Sequence, residues 1–429
     1  MSISLFNVFY SSTGICTDTR AIKKGSLFIC IKGEKFDGNT FASIAIADGA
    51  SHVILDNKEH FVNDGKMTLV EDSVIYLQGL AHFHRQKFDI PVIGITGSNG
   101  KTTSKELINA VLSEKHNVLA TIGNLNNHLG VPLTLLQLNE EYDIAIIEMG
   151  ANKPGDIQEL CEIAQPTHGI ITNIGKAHLE GFVNFEGVLK TKKELYNAIE
   201  KVKGVIVVNT DDEILTSNLP KEINSYSYGT NSKDINGELI NLSPFVKMRW
   251  SHDLFQSESI ETQMIGKYNF YNYLAAVTFG VVFNVPNHAI SNAIRAYTPT
   301  NNRSQIKKTI LNTLILDCYN ANPTSVSSAL ESFAMNTHSD KLFILGDMKE
   351  LGSESTLEHQ NIIKLAEKLN LKGYVVGNEF SMVKSSTILN HFKNTQTLIE
   401  KLKSNPIRGK LILLKGSRSI ELEKLEYSL

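Results

Sequence analysis

Residues 90–112 read "IPVIGITGSNGKTTSKELINAVL": a short apolar strand opened by a proline, a glycine-rich turn, and then helical spacing from Ser104 onward. The turn consists of Gly97, Ser98, Asn99, Gly100, Lys101, Thr102 and Thr103. Glycines let the backbone curl so that several N–H groups point inward, and the start of a helix adds a favourable dipole. Strand, turn and helix in this order make an anion cradle. Lys101 would place a positive charge on the β- and γ-phosphates of a nucleotide, and the Thr102 hydroxyl could ligate Mg²⁺. The plain alternative is a glycine-rich turn with a solvated lysine, and the flanking strand and helix make it the weaker reading. One departure stands out: the usual phosphate loop has four residues between its glycines, whereas Gly97 and Gly100 enclose two.

Other residues could serve the same chemistry. Glu148 ends the apolar run "IAIIEMG", where a carboxylate at the C-terminal edge of a sheet suits a hard cation, although a lone glutamate there is often merely solvated. His178 in "KAHLEGF" would commonly be a surface or core residue, since imidazole is not the donor magnesium favours. Asn269 and Asn272 in "GKYNFYNYLAA" could each offer an amide to an adenine edge, or cap a helix. Arg303, after the polar stretch "YTPTNNRSQ", could reach phosphates from a hinge and stabilise developing charge. Arg20, beside Thr19, could grip a diphosphate bidentately. The pair Asn126 and Asn127 in "NLNNHLG" serves equally as a turn.

These residues need elements to position them. Strand-like runs occur in "GSLFICI" and "SHVILDN" early on, then in "YDIAIIEM", "HGIITNI" and "GVIVVN", and finally in "NTLILDCYN", "KLFILGDM", "GYVVGN" and "GKLILLKG", with helical segments between them. The alternation implies an α/β chain of three domains. A small N-terminal α/β domain is expected over 1–89, a central doubly wound, mostly parallel sheet with the phosphate loop over 90–300, and a C-terminal Rossmann-like domain over 301–429. Hydrophobic residues make up 42% and charged residues 20%, an ordinary globular balance. A net charge of −3 gives no basic field for nucleic acid or an anionic membrane. Cys16, Cys30, Cys161 and Cys318 are scattered, which suits neither a zinc site nor a disulfide framework. The first residues make a poor signal peptide, and no apolar run approaches the ~20 residues that span a bilayer. A soluble, cytoplasmic monomer is expected.

The shortened loop, TGxxGKTT, resembles that of the Mur ligase and folylpolyglutamate synthase superfamily of amide-forming ATPases. The resemblance extends through "TDTRAIKKGSLF", "GNLNNHLGVPLTLL", "IIEMGANKPGDI", "ITNIGKAHLEGF", "YNANPTS", "LGDMKELG" and "LLKGSRS", essentially the whole chain. It implies an ATP- and Mg²⁺-dependent ligase of peptidoglycan precursor assembly working through an acyl phosphate. The implied partners are UDP-N-acetylmuramoyl-tripeptide and D-alanyl-D-alanine. By the same resemblance Glu148, His178 and Thr102 serve magnesium, and Lys192 is carbamylated by CO₂ to support a metal site. The family pattern there is A-K-G-E followed by Ile or Leu. This chain has Thr191, Lys192, Lys193, Glu194 and Leu195, so Lys190 and Lys193 compete for the role. Asn269 and Asn272 fall in the segment under the adenine. Asp317 resembles the aspartate that holds the ATP ribose, with Tyr319 and Asn320 after it; Leu316 and Cys318 depart from the family pattern beside it. Thr19, Arg20 and "IKGEKFDGN" resemble the UDP-sugar region, Asn126 and Asn127 would face the peptide substrate, and Lys415 and Arg418 would close the third domain. The sibling ligase that adds the preceding residue should carry D-N-P followed by Arg or Lys, which is absent here. Folylpolyglutamate synthase lacks the N-terminal UDP-binding domain. A nucleotide-switched binding module without ligase chemistry would need no second metal site.

Overall fold

Short runs of branched apolar residues, bounded by glycine, proline and asparagine, make this chain a series of strands with helices between them. The computed structural model describes residues 6–177, 179–182, 184–300 and 302–429; His178, the expected metal ligand, therefore lies outside the described residues. By its backbone contacts the chain divides into two units. One is Met1–Gly94 with His116–Ala151 and Asp156–His168; the other is Ile95–Lys115 with Asn152–Gly155 and Gly169–Leu429.

In the first unit β1 (Ile15–Cys16), β2 (Leu27–Ile29), β3 (His52–Leu55) and β4 (Met67–Leu69) form a parallel sheet in that order. Phe28, Cys30, Val53 and Leu55 bury one face of it with Ala42 and Ala45 of the helix Ala42–Ala47, which is the small α/β unit expected there. Helix Ser73–Arg85 starts at Asp72, whose carboxylate accepts from the N–H groups of Val74 and Ile75 at 2.7 and 2.8 Å; such a cap contributes about 1 kcal/mol. Its buried face, Tyr76, Leu77 and Leu80, packs on helices Gly130–Leu135 and Asp156–Ala164. Next come β5 (Val92–Thr96), β6 (Val118–Ala120), β7 (Ile144–Glu148) and β8 (His168–Ile171). The Ala145 N–H donates to Pro91 and the Thr167 N–H to Val92, setting β7 and β8 on either side of β5.

The second unit continues with β9 (Val205–Asn209), β10 (Asn224–Gly229), β11 (Ile235–Asn241), β12 (Lys247–His252), β13 (Phe255–Gln256) and β14 (Ile260–Glu261). The large sheet runs β13-β12-β11-β10-β9-β8-β5-β7-β6, with β14 beside β12. The β6–β7, β9–β10 and β10–β11 pairs are parallel, and the pairs beyond β11 are antiparallel. Helix Lys267–Val282 is buried nearly all round: Phe270, Leu274, Val277 and Phe279 are fully enclosed, each side chain contributing about 1.5–3 kcal/mol. The last sheet holds β15 (Gln305–Lys308), β16 (Thr313–Leu316), β17 (Lys341–Gly346), β18 (Gly373–Val376), β19 (Ile388–Phe392) and β20 (Leu411–Lys415), in the order β15-β16-β20-β17-β18-β19. Only β15 runs antiparallel there among the described residues. The architecture is thus mixed α/β with mostly parallel sheets, as the strand and helix alternation implies. No helix among the described residues is long and apolar enough to cross a membrane.

Candidate active site

The phosphate loop takes its shape from two glycines. Gly97 has φ +144° and Gly100 φ +78°, which side-chain-bearing residues rarely adopt. A Cβ at Gly97 would lie 2.0 Å from Oγ1 of Thr172, and one at Gly100 would lie 2.9 Å from Oδ1 of Asn272. The loop is braced from behind. Ser98 donates its N–H to the Asn173 carbonyl at 3.0 Å and its hydroxyl to the Gly175 carbonyl at 3.0 Å. The Asn99 N–H donates to Oδ1 of Asn173 at 3.1 Å, and Asn322 donates its side-chain amide to Oδ1 of Asn99 at 2.7 Å. The helix then starts at Lys101, three residues before Ser104, so the N–H groups of its first turn belong to the loop's mouth. Thr102 is buried and Thr103 half-buried. Lys101 is not on a freely exposed loop making contact with phosphates alone, as its motif suggests. It is half-buried, and its Nζ donates to the Gly97 carbonyl at 2.8 Å, because a loop this short brings that carbonyl within reach of the lysine stem.

In the first unit Glu148 ends β7 at 1% exposure. Its Oε1 accepts from Nδ2 of Asn126 at 2.8 Å and its N–H donates to Oγ1 of Thr121 at 3.0 Å. Asn126 therefore holds the carboxylate in place. Asn127 forms the turn its residue type allowed: its Oδ1 accepts from the N–H groups of Leu129 and Gly130 at 3.2 and 2.9 Å. A carboxylate withdrawn from water needs donors or a cation around it, and the oxygens of Glu148 and Thr102 are the kind magnesium takes. Among the described residues no three of His, Cys, Asp or Glu gather as a metal-holding group; the expected set draws instead on a threonine, a modified lysine and His178. Thr19 is half-buried, and Arg20 is exposed. Arg20 already makes a fork, with Nε 2.9 Å from Oδ1 and Nη2 2.6 Å from Oδ2 of Asp18. That guanidinium holds the Asp18 carboxyl down at about 2. The grip expected for a diphosphate thus rests on a solvent-exposed neighbour, an ion pair that exchanges readily.

The helix Phe185–Lys201 begins at Asn184, whose Oδ1 accepts from the Gly187 N–H at 2.9 Å. It presents the three candidate lysines differently. Lys190 is exposed, and Lys193 donates to Oδ1 of Asn218 at 3.0 Å. Lys192 is 2% exposed, its Nζ 5.7 Å from the centre of the Phe182 ring. Next to it Glu194 accepts the Gly155 N–H at 2.9 Å.

The C-terminal part gathers charge after β16 and β20. Oδ2 of Asp317 accepts from Nζ of Lys415 at 2.7 Å, and Oδ1 accepts from the Ser304 N–H at 3.1 Å. Lys415 is 3% exposed, so it is an internal partner of Asp317 and not a side chain extended to close over reactants. The guanidinium groups of Arg303 and Arg418 lie 3.7 and 4.9 Å from the centre of the Tyr319 ring, and Asn320 is exposed beside it. The buried Nε of Arg303 has no hydrogen-bond partner among the described residues, leaving a charged donor of the sort an anion satisfies. Asn269 and Asn272 are both buried, and their amides bond to each other, to Ser104, to Ser304 and to the Ile265 carbonyl, so they support the loop's helix. Thr121, Thr172, Asn173 and Asn322 were not singled out from the sequence as site residues. Asn322 alone had a local signal, since Asn followed by Pro323 marks a helix start.

Three family models match this chain in succession. They are the Mur ligase family catalytic domain over residues 11–83, the Mur ligase middle domain over 95–280, and the Mur ligase glutamate ligase domain over 302–418. The UDP-N-acetylmuramoyl-tripeptide–D-alanyl-D-alanine ligase of Bacillus subtilis is 32% identical over 441 residues, covering 98% of this chain and 94% of that protein. The ligase of the same name from Escherichia coli is 31% identical, covering 96% and 92%. Among solved structures, MurF from Acinetobacter baumannii has a TM-score of 0.87 at 29% identity, covering 99% of this chain and 97% of that one. MurF ligase from Thermotoga maritima, in complex with ADP, has a TM-score of 0.88 at 26% identity, covering 98% and 97%. Agreement of this length, running through every sheet and not confined to the phosphate loop, leaves one assignment: the chain belongs to the Mur ligase family.

Proposed function

We propose that this chain is an ATP-dependent ligase that joins D-alanyl-D-alanine to UDP-N-acetylmuramoyl-tripeptide, forming ADP and phosphate, in peptidoglycan precursor synthesis. The observation that carries this reading is the end-to-end correspondence with relatives named for that activity, which cover more than nine-tenths of both chains. We keep the domains as 1–89 for the UDP-linked substrate, 90–300 for ATP and 301–429 for ligation. A reaction fed by ATP belongs in the cytoplasm, and since every part invoked lies on one chain, a monomer suffices.

In the reaction the γ-phosphate of ATP passes to a carboxylate oxygen of the tripeptide's third residue, and ADP leaves. The amine of D-alanyl-D-alanine attacks the acyl phosphate carbon. Collapse of the tetrahedral intermediate breaks the carbon–oxygen bond to phosphate, giving the amide, phosphate and a proton. The chain's residues hold and neutralise, as phosphoryl transfer requires. Gly97, Ser98, Asn99, Gly100 and Thr103 cradle the phosphates, Lys101 and Arg303 offset their charge, and Asn126 aims Glu148. Magnesium, taken by Thr102, Glu148, His178 and the carbamate of Lys192, would supply further charge neutralisation when bound. Asp317, Tyr319 and Asn320 take the nucleoside side, with Asn269 and Asn272 behind the loop. Thr19 and Arg20 would take the UDP-linked part of the substrate and Asn127 would face its peptide, Arg418 would close the third domain over the reacting groups, and Lys415 acts through Asp317.

The experiment is acceptor dependence. Phosphate release from ATP with UDP-N-acetylmuramoyl-tripeptide should require D-alanyl-D-alanine. Turnover of the UDP-muramoyl-dipeptide with a free diamino acid, and none with D-alanyl-D-alanine, would make this the sibling ligase.

A further inference from the structure

A continuous run of hydrogen bonds leaves the phosphate-loop helix and ends in the C-terminal sheet. The Ser104 hydroxyl donates to Oδ1 of Asn272 at 3.1 Å, Nδ2 of Asn272 donates to Oδ1 of Asn269 at 2.9 Å, and Nδ2 of Asn269 donates to Oγ of Ser304 at 3.2 Å. The Ser304 hydroxyl also meets the Tyr268 hydroxyl at 2.8 Å. From the same residue the backbone N–H donates to Oδ1 of Asp317 at 3.1 Å, whose other oxygen takes Nζ of Lys415 at 2.7 Å. Ser104, Asn269, Asn272 and Ser304 are all buried, so these bonds form away from competing water.

The backbone at this place is unusual. Asn302 has φ +56° and Ser304 φ +51°, so two non-glycine residues in the left-handed region flank Arg303. Such conformations persist where the surroundings over-determine them. At Ser304 the surroundings are visible: the side chain is held by helix Lys267–Val282 and the N–H by Asp317. With Ser304 fixed on its C-terminal side, the Arg303 backbone has little freedom, and its side chain lies 3.7 Å over the Tyr319 ring with a partnerless buried Nε among the described residues.

We propose that Ser304 is a positioning residue for the reaction: it pins the segment just before β15 so that Arg303 is set by the phosphate-loop helix and the β16 edge together. The arginine's aim is then tied to the loop whose ligand it serves. A movement of Ser104 or Gly100 on nucleotide binding passes through Asn272 and Asn269 to Ser304, and the tilt of Arg303 follows. Ser304 touches no reactant and acts through Arg303 alone. The inference rests on the ligase reading above.

The test is a double-mutant cycle on the full chain, read as phosphate release with ATP, UDP-N-acetylmuramoyl-tripeptide and D-alanyl-D-alanine. Wild-type turnover is measured first, since its absence would overturn the ligase reading; the ratios between variants then bear on the pivot alone. Ser304→Ala should lower kcat roughly ten- to a hundredfold and leave KM for ATP within about twofold. In an Arg303→Ala background the same change should alter kcat by less than about twofold, because what it positions is gone. Losses that multiply in the double variant, a raised KM for ATP with kcat intact, or an unchanged kcat in Ser304→Ala would each overturn the proposal. Should Ser304→Ala not fold, Tyr268→Phe removes one bond from the same hydroxyl. Its expected loss of roughly threefold or more should likewise vanish without Arg303, and a wild-type kcat in Tyr268→Phe would overturn the pivot.

Discussion

Two lysines in this chain face opposite demands. Lys101 must keep its charge, since it stands at a loop built to receive phosphate. Lys101→Ala should therefore lower kcat by roughly 10²–10³ or more. Its fold should weaken by only about 1 kcal/mol, the worth of the bond from Nζ to Gly97. Near-normal turnover would remove the loop from the mechanism. On the proposed reading Lys192, 2% exposed, exchanges its charge for that of a carbamate: carbamylation by CO₂ requires the neutral amine and yields an anion suited to magnesium. Labelled bicarbonate should give a carbamate carbon signal in the active enzyme that disappears in Lys192→Ala, with most activity lost. A signal that disappears instead in Lys190→Ala or Lys193→Ala would move the register, but Lys190 is exposed and Lys193 is engaged by Asn218. Residue type and spacing made Gly97, Gly100 and Lys101 legible, because a phosphate cradle constrains both. They did not say which partner a polar side chain takes. Asn126 on Glu148, Asn272 on Ser104, Asn269 on Ser304 and Lys415 on Asp317 depend on contacts between segments far apart in sequence.

At the scale of elements, strands with continuous apolar runs were readable and the others were not. β2, β3, β5, β7, β8, β9, β16, β17, β18 and β20 follow such runs. By contrast β10, β11 and β12, "NSYSYG", "INGELIN" and "KMRWSH", lack an apolar block to announce them; β12 and the start of β11 alternate buried with half-buried positions, as one-sided sheet does. β8 carries a measurable consequence. Burial pushes His168 down to about 4, with the Thr167 hydroxyl 2.9 Å from its Nδ1. The unfolded chain takes up that proton near pH 6.5, so protons favour unfolding. Its contribution is complete above pH 6.5 and declines as pH falls toward about 4. A tenfold change in proton affinity is worth about 1.4 kcal/mol, so roughly 2–3 kcal/mol should be lost across that window. Urea midpoints at several pH values should show a flatter dependence in His168→Gln than in wild type; equal slopes would place the acid sensitivity elsewhere.

At the scale of the whole molecule, the order of parts was legible because family motifs occur along the entire chain. The matched domains cover 11–83, 95–280 and 302–418 in that order. The two compact units cut the chain differently: the break passes through β5, and the C-terminal sheet shares a unit with the phosphate loop, where Asn322 meets Asn99. No local pattern announces that contact, which joins residues 223 positions apart in the chain. Activation of the tripeptide carboxylate by phosphorylation, before an amine attacks, is the step on which the ligase reading stands. UDP-N-acetylmuramoyl-tripeptide labelled with ¹⁸O in the terminal carboxylate tests it most directly, with ATP and D-alanyl-D-alanine present and the products examined by mass. An acyl phosphate predicts one labelled oxygen in the released phosphate for each amide formed, with ADP as the nucleotide product. Amide formation with unlabelled phosphate, or with the label in AMP, would contradict it.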